Sequence, residues 1–328
     1  MSIITNLYRL EGEDYLGWKI RVCLAKKRNE TDMDWAEIKD MLGESVTPDH
    51  LRKVAVGYEE YDNYINGDTG VTTRVLSISD AHVPFNLPAE TFRKYTGRVD
   101  VLVFNGDIQD CHSCSSFPRK YRVGFDQEMV DTRQYMIDII NMISPKKVIV
   151  IMGNHEYRLA RFLTDKLHDD ILTIMPDSPQ ELIVNKGFHV KDRLNKTETW
   201  YSPLCEVFED KGIEIEYDGS WYKLVGNVIF AHPLSYSAGM LKTTEKAVNF
   251  FLRNNRDFSC ICLGHTHKCG SFKQGNILMY EQGCTCDLRK LDYNNGKLVI
   301  PGQNGYIYLA LDKDGNVIES KSKLETLN

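Results

Sequence analysis

The chain has 328 residues, 42% of them hydrophobic and 26% charged. This is globular composition, enough to bury a sizeable core and too apolar for long disordered tracts. Forty Lys and Arg against 46 Asp and Glu leave a net charge of −6, which excludes a global positive field for holding nucleic acid non-specifically. No apolar run approaches the ~20 residues that cross a bilayer, so no membrane partner is expected. The start, MSIITNLYRLEGEDYLG, lacks the pattern of a signal peptide. Nine cysteines without an export signal point to reduced thiols in a cytoplasm.

Residues 1–70 read as a helical domain and 71–328 as a second, with Asn66 to Gly70 (NGDTG) as the joint. Asp34-Trp35-Ala36-Glu37 has the form of a capping box opening a helix that ends at Leu42-Gly43. Thr47 as N-cap and Pro48 at the first helical position start another, whose apolar Leu51, Val54, Ala55 and Tyr58 keep helical spacing. Helix, glycine turn, helix resembles a helix-turn-helix unit and would put His50, Arg52 and Lys53 near the groove-facing end of the second helix. Charge opposes this, because nine basic and 14 acidic residues give this segment −5, whereas DNA readers are usually basic. Lys19, Arg21, Lys26, Lys27 and Arg28 form one local basic group. DNA contact through this domain, and docking on the rest of the chain or on another protein, stand as alternatives.

Beyond residue 70, short apolar runs alternate with helical patterns at 127–143 and 243–255. The runs 74–79, 99–105, 147–152, 227–231 and 258–263 are rich in Val and Ile and nearly continuous, as strands buried on both faces are. Each stops at residues of metal-ligand type. The first runs into Asp80-Ala81-His82, the second into Gly106-Asp107 and the third into Gly153-Asn154-His155-Glu156. The fourth meets His232-Pro233 and the fifth Gly264-His265-Thr266-His267. Two Asp, one Asn and five His are thus expected at one edge of one sheet, where ligands of α/β sheets gather. Mixed oxygen and imidazole donors suit Mn, Fe or Zn better than Ca or Mg. Eight candidates exceed the shell of one catalytic ion, so two divalent ions are the economical count. Such a pair, ~3.5–4 Å apart, clamps the oxygens of an in-line displacement at phosphorus and makes hydroxide available near neutrality.

These motifs, in this order, resemble the calcineurin-like metallophosphoesterases from about Thr72 onward. The resemblance implies a four-layer α/β/β/α sandwich of that type beside the small N-terminal helical domain. It implies that Asp80, His82 and His267 hold one ion, that Asp107 bridges, and that Asn154, His232 and His265 hold the other. Manganese is the expected metal, with iron or zinc accepting the same ligands. His155 matches the histidine that contacts the scissile phosphate and protonates the leaving oxygen, and Asp110 the acid that orients it. Two departures bear on substrate. Cys111 follows Asp110 where the protein phosphatases of the superfamily place a phosphate-gripping arginine, and Pro233 follows His232, stiffening a loop that often carries glycine. Arg158 is retained, either to reach a phosphate or to pair with an acid in the next helix.

The segment from Cys111 to Phe125 interleaves Arg119, Lys120 and Arg122 with Phe117, Tyr121 and Phe125, which suits a phosphate backbone and unpaired bases; an ordinary loop with tucked aromatics is the alternative. With the Gly283 turn and the Asp292-Tyr293 pair, this layout resembles DNA-acting metallophosphoesterases carried by bacteriophages, which implies the cytoplasm of a bacterium or a phage-infected host. The reading is a phosphodiesterase or nuclease. A phosphomonoesterase acting on phosphoprotein or nucleotide is the first rival, and a DNA-binding regulator using the fold as scaffold the second. Cys111-x-x-Cys114, Cys260-x-Cys262, Cys269 and Cys284-x-Cys286 match no standard metal spacing and are expected to be buried thiols, some bordering the site.

Overall fold

The computed structural model describes residues 7–66, 70–115, 123–176, 178–192, 194–254, 256–291 and 301–327. The cationic Arg119, Lys120 and Arg122, with Phe117, Tyr121 and the Asp292-Tyr293 pair, lie outside the described residues. Helices are α1 (Tyr15–Lys27), α2 (Trp35–Leu42), α3 (Pro48–Asn66), α4 (Phe125–Ile143), α5 (Tyr157–Thr164), α6 (Asp169–Leu172), α7 (Leu204–Val207) and α8 (Lys242–Arg253). Strands are β1 (Thr73–Ile78), β2 (Val101–Asn105), β3 (Lys147–Ile151), β4 (Phe188–Asp192), β5 (Thr197–Tyr201), β6 (Glu214–Glu216) and β7 (Tyr222–Val225). They continue with β8 (Val228–Ala231), β9 (Cys260–Leu263), β10 (Cys269–Gln274), β11 (Ile277–Gln282), β12 (Asn304–Leu311) and β13 (Lys323–Leu327).

One sheet has the order β13-β12-β1-β2-β3-β6 and a second β10-β11-β9-β8-β7, with β4 and β5 as a separate hairpin. The steps β1-β2-β3-β6 and β8-β9-β11 are parallel. Side chains alternate faces along each strand, and the packing follows that period. Leu76 and Ile78 of β1, Leu102 and Phe104 of β2, and Val148 and Val150 of β3 meet the inner face of α4, including Met136, Ile139 and Ile140. Their neighbours Val75, Val103, Ile149 and Ile151 point the other way and meet Val228, Phe230, Cys260 and Cys262 of the second sheet. Ile229 and Ala231 of β8 and Ile261 and Leu263 of β9 pack under Val248 and Phe251 of α8. The layers are therefore helix, sheet, sheet, helix, as the resemblance implies. Cys260 and Cys262 share one face, as residues two apart must.

The expectation of a single sheet edge is corrected: β1, β2 and β3 belong to one sheet, β8 and β9 to the other. Strands buried on both faces carry the same apolar runs in either sheet, so hydropathy cannot assign them. β2 also starts two residues later than its apolar run, because the Asp100 carboxylate accepts the Arg74 amide at 2.9 Å before the ladder begins.

The N-terminal helices pack around Val22, Cys23, Ile38, Leu42, Leu51 and Ala55. Asp34 and Glu37 form the expected capping box, and Gly43 closes α2 at φ 67°, a conformation that costs glycine little. Thr47 Oγ1 accepts the His50 amide at 3.2 Å, and Pro48 opens α3. Four cations of the local basic group face carboxylates: Lys19 with Glu44, Arg21 with Glu13, Lys27 with Glu59 and Arg28 with Asp62. Arg52 and Lys53 both pair with Asp49, at 2.7 and 2.9 Å, and His50 is exposed. Among the described residues, no helix is long and apolar enough to cross a membrane.

Phe230 is fully buried between the sheets. Phe230→Ala should cost about 3–5 kcal/mol of stability through lost transfer energy and cavity formation, read from the midpoint of chemical denaturation.

Candidate metal centre

The strand ends bend sharply. Asp80 and His82 after β1, Asp107 after β2, and His265 and His267 after β9 all have positive φ, between 49° and 77°. Non-glycine residues there cost of order 1–3 kcal/mol each and persist only where surroundings over-determine them. The bends turn side chains that would follow the strand direction into the seam between the two sheets. Gly153 is required by close approach, since a Cβ there would lie 2.1 Å from Asp107 Oδ1 and 2.3 Å from its amide nitrogen.

Two donor groups form at the seam. Ligand atoms of Asp80, His82 and His267 lie within 4.8 Å of one another, as do those of Asp107, His232 and His265. In the first, His267 Nε2 is 3.1 Å from Asp80 Oδ1 and 3.0 Å from His82 Nε2. In the second, His232 Nε2 is 3.2 Å from both Asp107 Oδ2 and Asn154 Oδ1. His232 Nδ1–H donates to the Asn105 carbonyl at 2.8 Å, which fixes the tautomer and leaves Nε2 facing the pocket. His265 Nε2 is buried with no hydrogen-bond partner, and its amide donates to Asp80 Oδ2 at 2.9 Å. A buried orphan nitrogen beside two carboxylates and three further imidazoles is a donor set that fits divalent cations.

His155 sits against both groups. Its amide donates to Asp107 Oδ1 at 2.8 Å, and its Nδ1 is 2.9 Å from Asp110 Oδ1. Asp110 is shared more widely than the sequence suggested: its carboxylate also meets His82 Nδ1 at 3.2 Å and His112 Nδ1 at 3.3 Å. Arg158 closes on the same two residues. It donates to the Asp110 carbonyl at 2.9 Å and to His155 Nε2 at 2.7 Å.

Sequence reasoning assigned no role to Glu156. Its fully buried carboxylate accepts the amides of Asp107 (2.9 Å), Gln109 (3.0 Å) and Gly153 (2.8 Å) and the side-chain amide of Gln180 (2.8 Å). Ser79 and Thr285 were missed too. Ser79 Oγ donates to Asp80, and the Thr285 amide and hydroxyl both donate to the Ser79 carbonyl, at 3.1 and 2.9 Å. Only the adjacency of Glu156 to His155 was visible in the sequence.

Charge is strongly coupled in the pocket. Burial alone would raise Asp80, but His232 and His267 outweigh it and hold the carboxyl at about 2; Asp107 is likewise held well below the usual range against burial, by His155 and His232. Burial would lower His232 and His267, yet Asp107 and Asp80 push the first to about 10, and Asp80 pushes the second to about 9. Burial, reinforced by neighbouring imidazoles, lowers His82 and His265 to about 4. Burial and Asp107 raise Glu156 to about 7 against the pull of its amide donors.

Two predictions follow from this geometry. At pH 7 the metal-free protein carries protons on His232 and His267, whose pKa values are raised to about 10 and about 9, and a cation must displace them. Filling the site should therefore release about two protons per chain, and apparent affinity should rise with pH up to about 10. Calorimetry in buffers of different ionisation enthalpy counts them, and zero release would contradict the assignment. Glu156→Gln leaves an amide group facing amide donors, which should cost roughly 1–3 kcal/mol and weaken metal uptake. Equal denaturation midpoints and metal affinities would show that these bonds do not hold the loops.

The family model of the calcineurin-like phosphoesterases matches residues 73–269. No curated protein matches the chain in sequence. Solved structures similar to it include a metallophosphoesterase from Sphaerobacter thermophilus, 15% identical, covering 78% of this chain and 88% of that one with a TM-score of 0.35. Vps29 complexed with zinc from Entamoeba histolytica is 14% identical over 77% of this chain and 98% of that one, with a TM-score of 0.37. A conserved protein described as a predicted phosphoesterase from Streptococcus pneumoniae is 12% identical over 78% and 98%, with a TM-score of 0.28. With the family model spanning more than half of the sequence, the chain belongs to the calcineurin-like phosphoesterases.

Proposed function

We propose that the protein is a dinuclear, manganese-preferring phosphodiesterase that acts on nucleic acid. The observation that carries this reading is the pair of buried donor groups, Asp80–His82–His267 and Asp107–His232–His265, with His155 held against both by Asp107 and Asp110. The first group would hold one ion; Asn154 would join the second; Asp107 would be shared. Two bound divalent ions supply Lewis-acid stabilisation of charge at phosphorus and a more acidic water.

The protein's own residues supply the rest. His155 has Nδ1 committed to Asp110 at 2.9 Å, so Nε2 is the nitrogen left to meet a leaving oxygen. Arg158 now donates to that nitrogen; an arriving phosphate oxygen competes for the guanidinium and frees the Nε2 lone pair, which takes a proton from water and then passes it to the leaving oxygen. A phosphodiester is favoured over a phosphomonoester because Cys111 stands where a second phosphate-gripping arginine would be needed. Nucleic acid is favoured by Arg119, Lys120 and Arg122, interleaved with aromatics in the segment that follows Asp110. Substrate would sit at the metal centre and not on residues 1–70, where Lys19, Arg21, Lys27 and Arg28 are each engaged by a carboxylate.

His155→Asn, checked for full metal content, should lower kcat on a bis-aryl phosphodiester by ~10²–10⁴-fold; unchanged turnover removes the acid role. Turnover should favour the bis-aryl over the mono-aryl phosphate, and a screen with manganese should place single-stranded DNA, duplex DNA or RNA above cyclic nucleotides. A strong preference for the monoester would overturn the diesterase reading.

A further inference from the structure

The segment after β11 runs back along the metal pocket. Thr285 fastens it there, its amide bonded to the carbonyls of Ser79 (3.1 Å) and Asp80 (3.2 Å). Cys284 and Cys286 flank Thr285 and, two apart in extended chain, lie on the opposite side from it. Both are fully buried. Their sulfurs and a ring nitrogen of His267 lie within 4.8 Å of one another, within about an ångström of the ~3.8 Å separation of sulfurs around a tetrahedral zinc. The amide of Asn304 points at this group, donating to Cys284 Sγ at 3.6 Å and to the Cys286 carbonyl at 2.6 Å, and the Cys284 thiol faces the Gln303 carbonyl at 3.3 Å. An N–H donor aimed at sulfur is what orients and stabilises a metal-bound thiolate.

We propose that Cys284, Cys286 and His267 form a separate site for a thiophilic divalent cation, zinc or cadmium in class, and that filling it excludes an ion from Asp80–His82–His267. The exclusion rests on the reading of the latter group as an ion site, because a neutral imidazole has one lone pair to give and both ions would draw on that of His267, whose Nε2 stands 3.1 Å from Asp80 Oδ1. On binding, each thiol gives its proton to solvent and its sulfur lone pair to the cation, with no change of oxidation state. Two sulfurs and an imidazole select a softer ion than the carboxylate and imidazoles next door. The protein would thus run on manganese and be arrested by zinc-class ions through displacement.

The test uses the full-length protein loaded with manganese and titrated with cadmium. A sulfur-to-cadmium charge-transfer band should saturate at one equivalent, with one manganese per chain released to solution as read by electron paramagnetic resonance, and hydrolysis falling in step. X-ray absorption on the wild-type complex should count two sulfur neighbours per cadmium. C284A/C286A, retaining its two manganese ions, should show no such band and need at least tenfold more cadmium for the same inhibition. A shell without sulfur, an unchanged band in the double variant, or a full band with both manganese ions retained each overturns the proposal. The sulfur shell is read without substrate, so its absence leaves the phosphodiesterase reading standing; failure of the wild-type protein to bind manganese would instead strike that reading.

Discussion

One buried carboxylate holds the arrangement together. Glu156 accepts amides from Asp107, Gln109 and Gly153, and the side chain of Gln180 as well, so the turns after β2 and β3 are tied to a single group. Those turns carry Asp107, Asp110, Asn154 and His155. Burying a carboxylate without partners would be prohibitive; four N–H donors offset that cost, and three of them fix backbone positions at the same time. The positive φ angles at Asp80, His82, Asp107, His265 and His267 are tolerable only in such over-determined surroundings.

Asp110 plays the complementary part among side chains. Three imidazoles, of His82, His112 and His155, converge on its carboxylate, and burial that would raise its pKa is outweighed by them, so that it stays well below the usual carboxylate range. A group that remains anionic, with its carbonyl 2.9 Å from His155 Nδ1, can hold His155 in one tautomer with Nε2 as its other nitrogen.

The five strands and their terminal residues were legible in the sequence because burial on both faces forces unbroken apolar runs, such as Val101 to Phe104, that stop abruptly at polar residues. The same double burial concealed which sheet each strand joins, since Ile149 and Phe230 look alike in hydropathy yet meet from opposite sides of the seam. Roles that depend on distant partners were not legible. Glu156 reads as one more acid until Gln109 and Gln180 arrive beside it, and the contact of Arg158 with His155 Nε2 has no signal in the sequence beyond their spacing of three. Cys284 and Cys286 fit no metal spacing because their companion, His267, belongs to another strand end. The helical caps at Asp34 and Thr47 were legible because they are local; the neutralisation of Lys19, Arg21 and Arg28 was not, because Glu44, Glu13 and Asp62 come from elsewhere in the segment.

The proposed donors come from both layers: Asp80, His82, Asp107 and Asn154 follow strands of the six-stranded sheet, His232, His265 and His267 strands of the five-stranded one. Cations lodged between them would act as rivets through the sandwich. Sliding one sheet over the other by a single residue would then break coordination before it broke either sheet's own ladder. Loaded protein would resist shear along the plane where the unloaded fold relies on side-chain interdigitation and on hydrogen bonds such as those of His232 to Asn105 and His265 to Asp80.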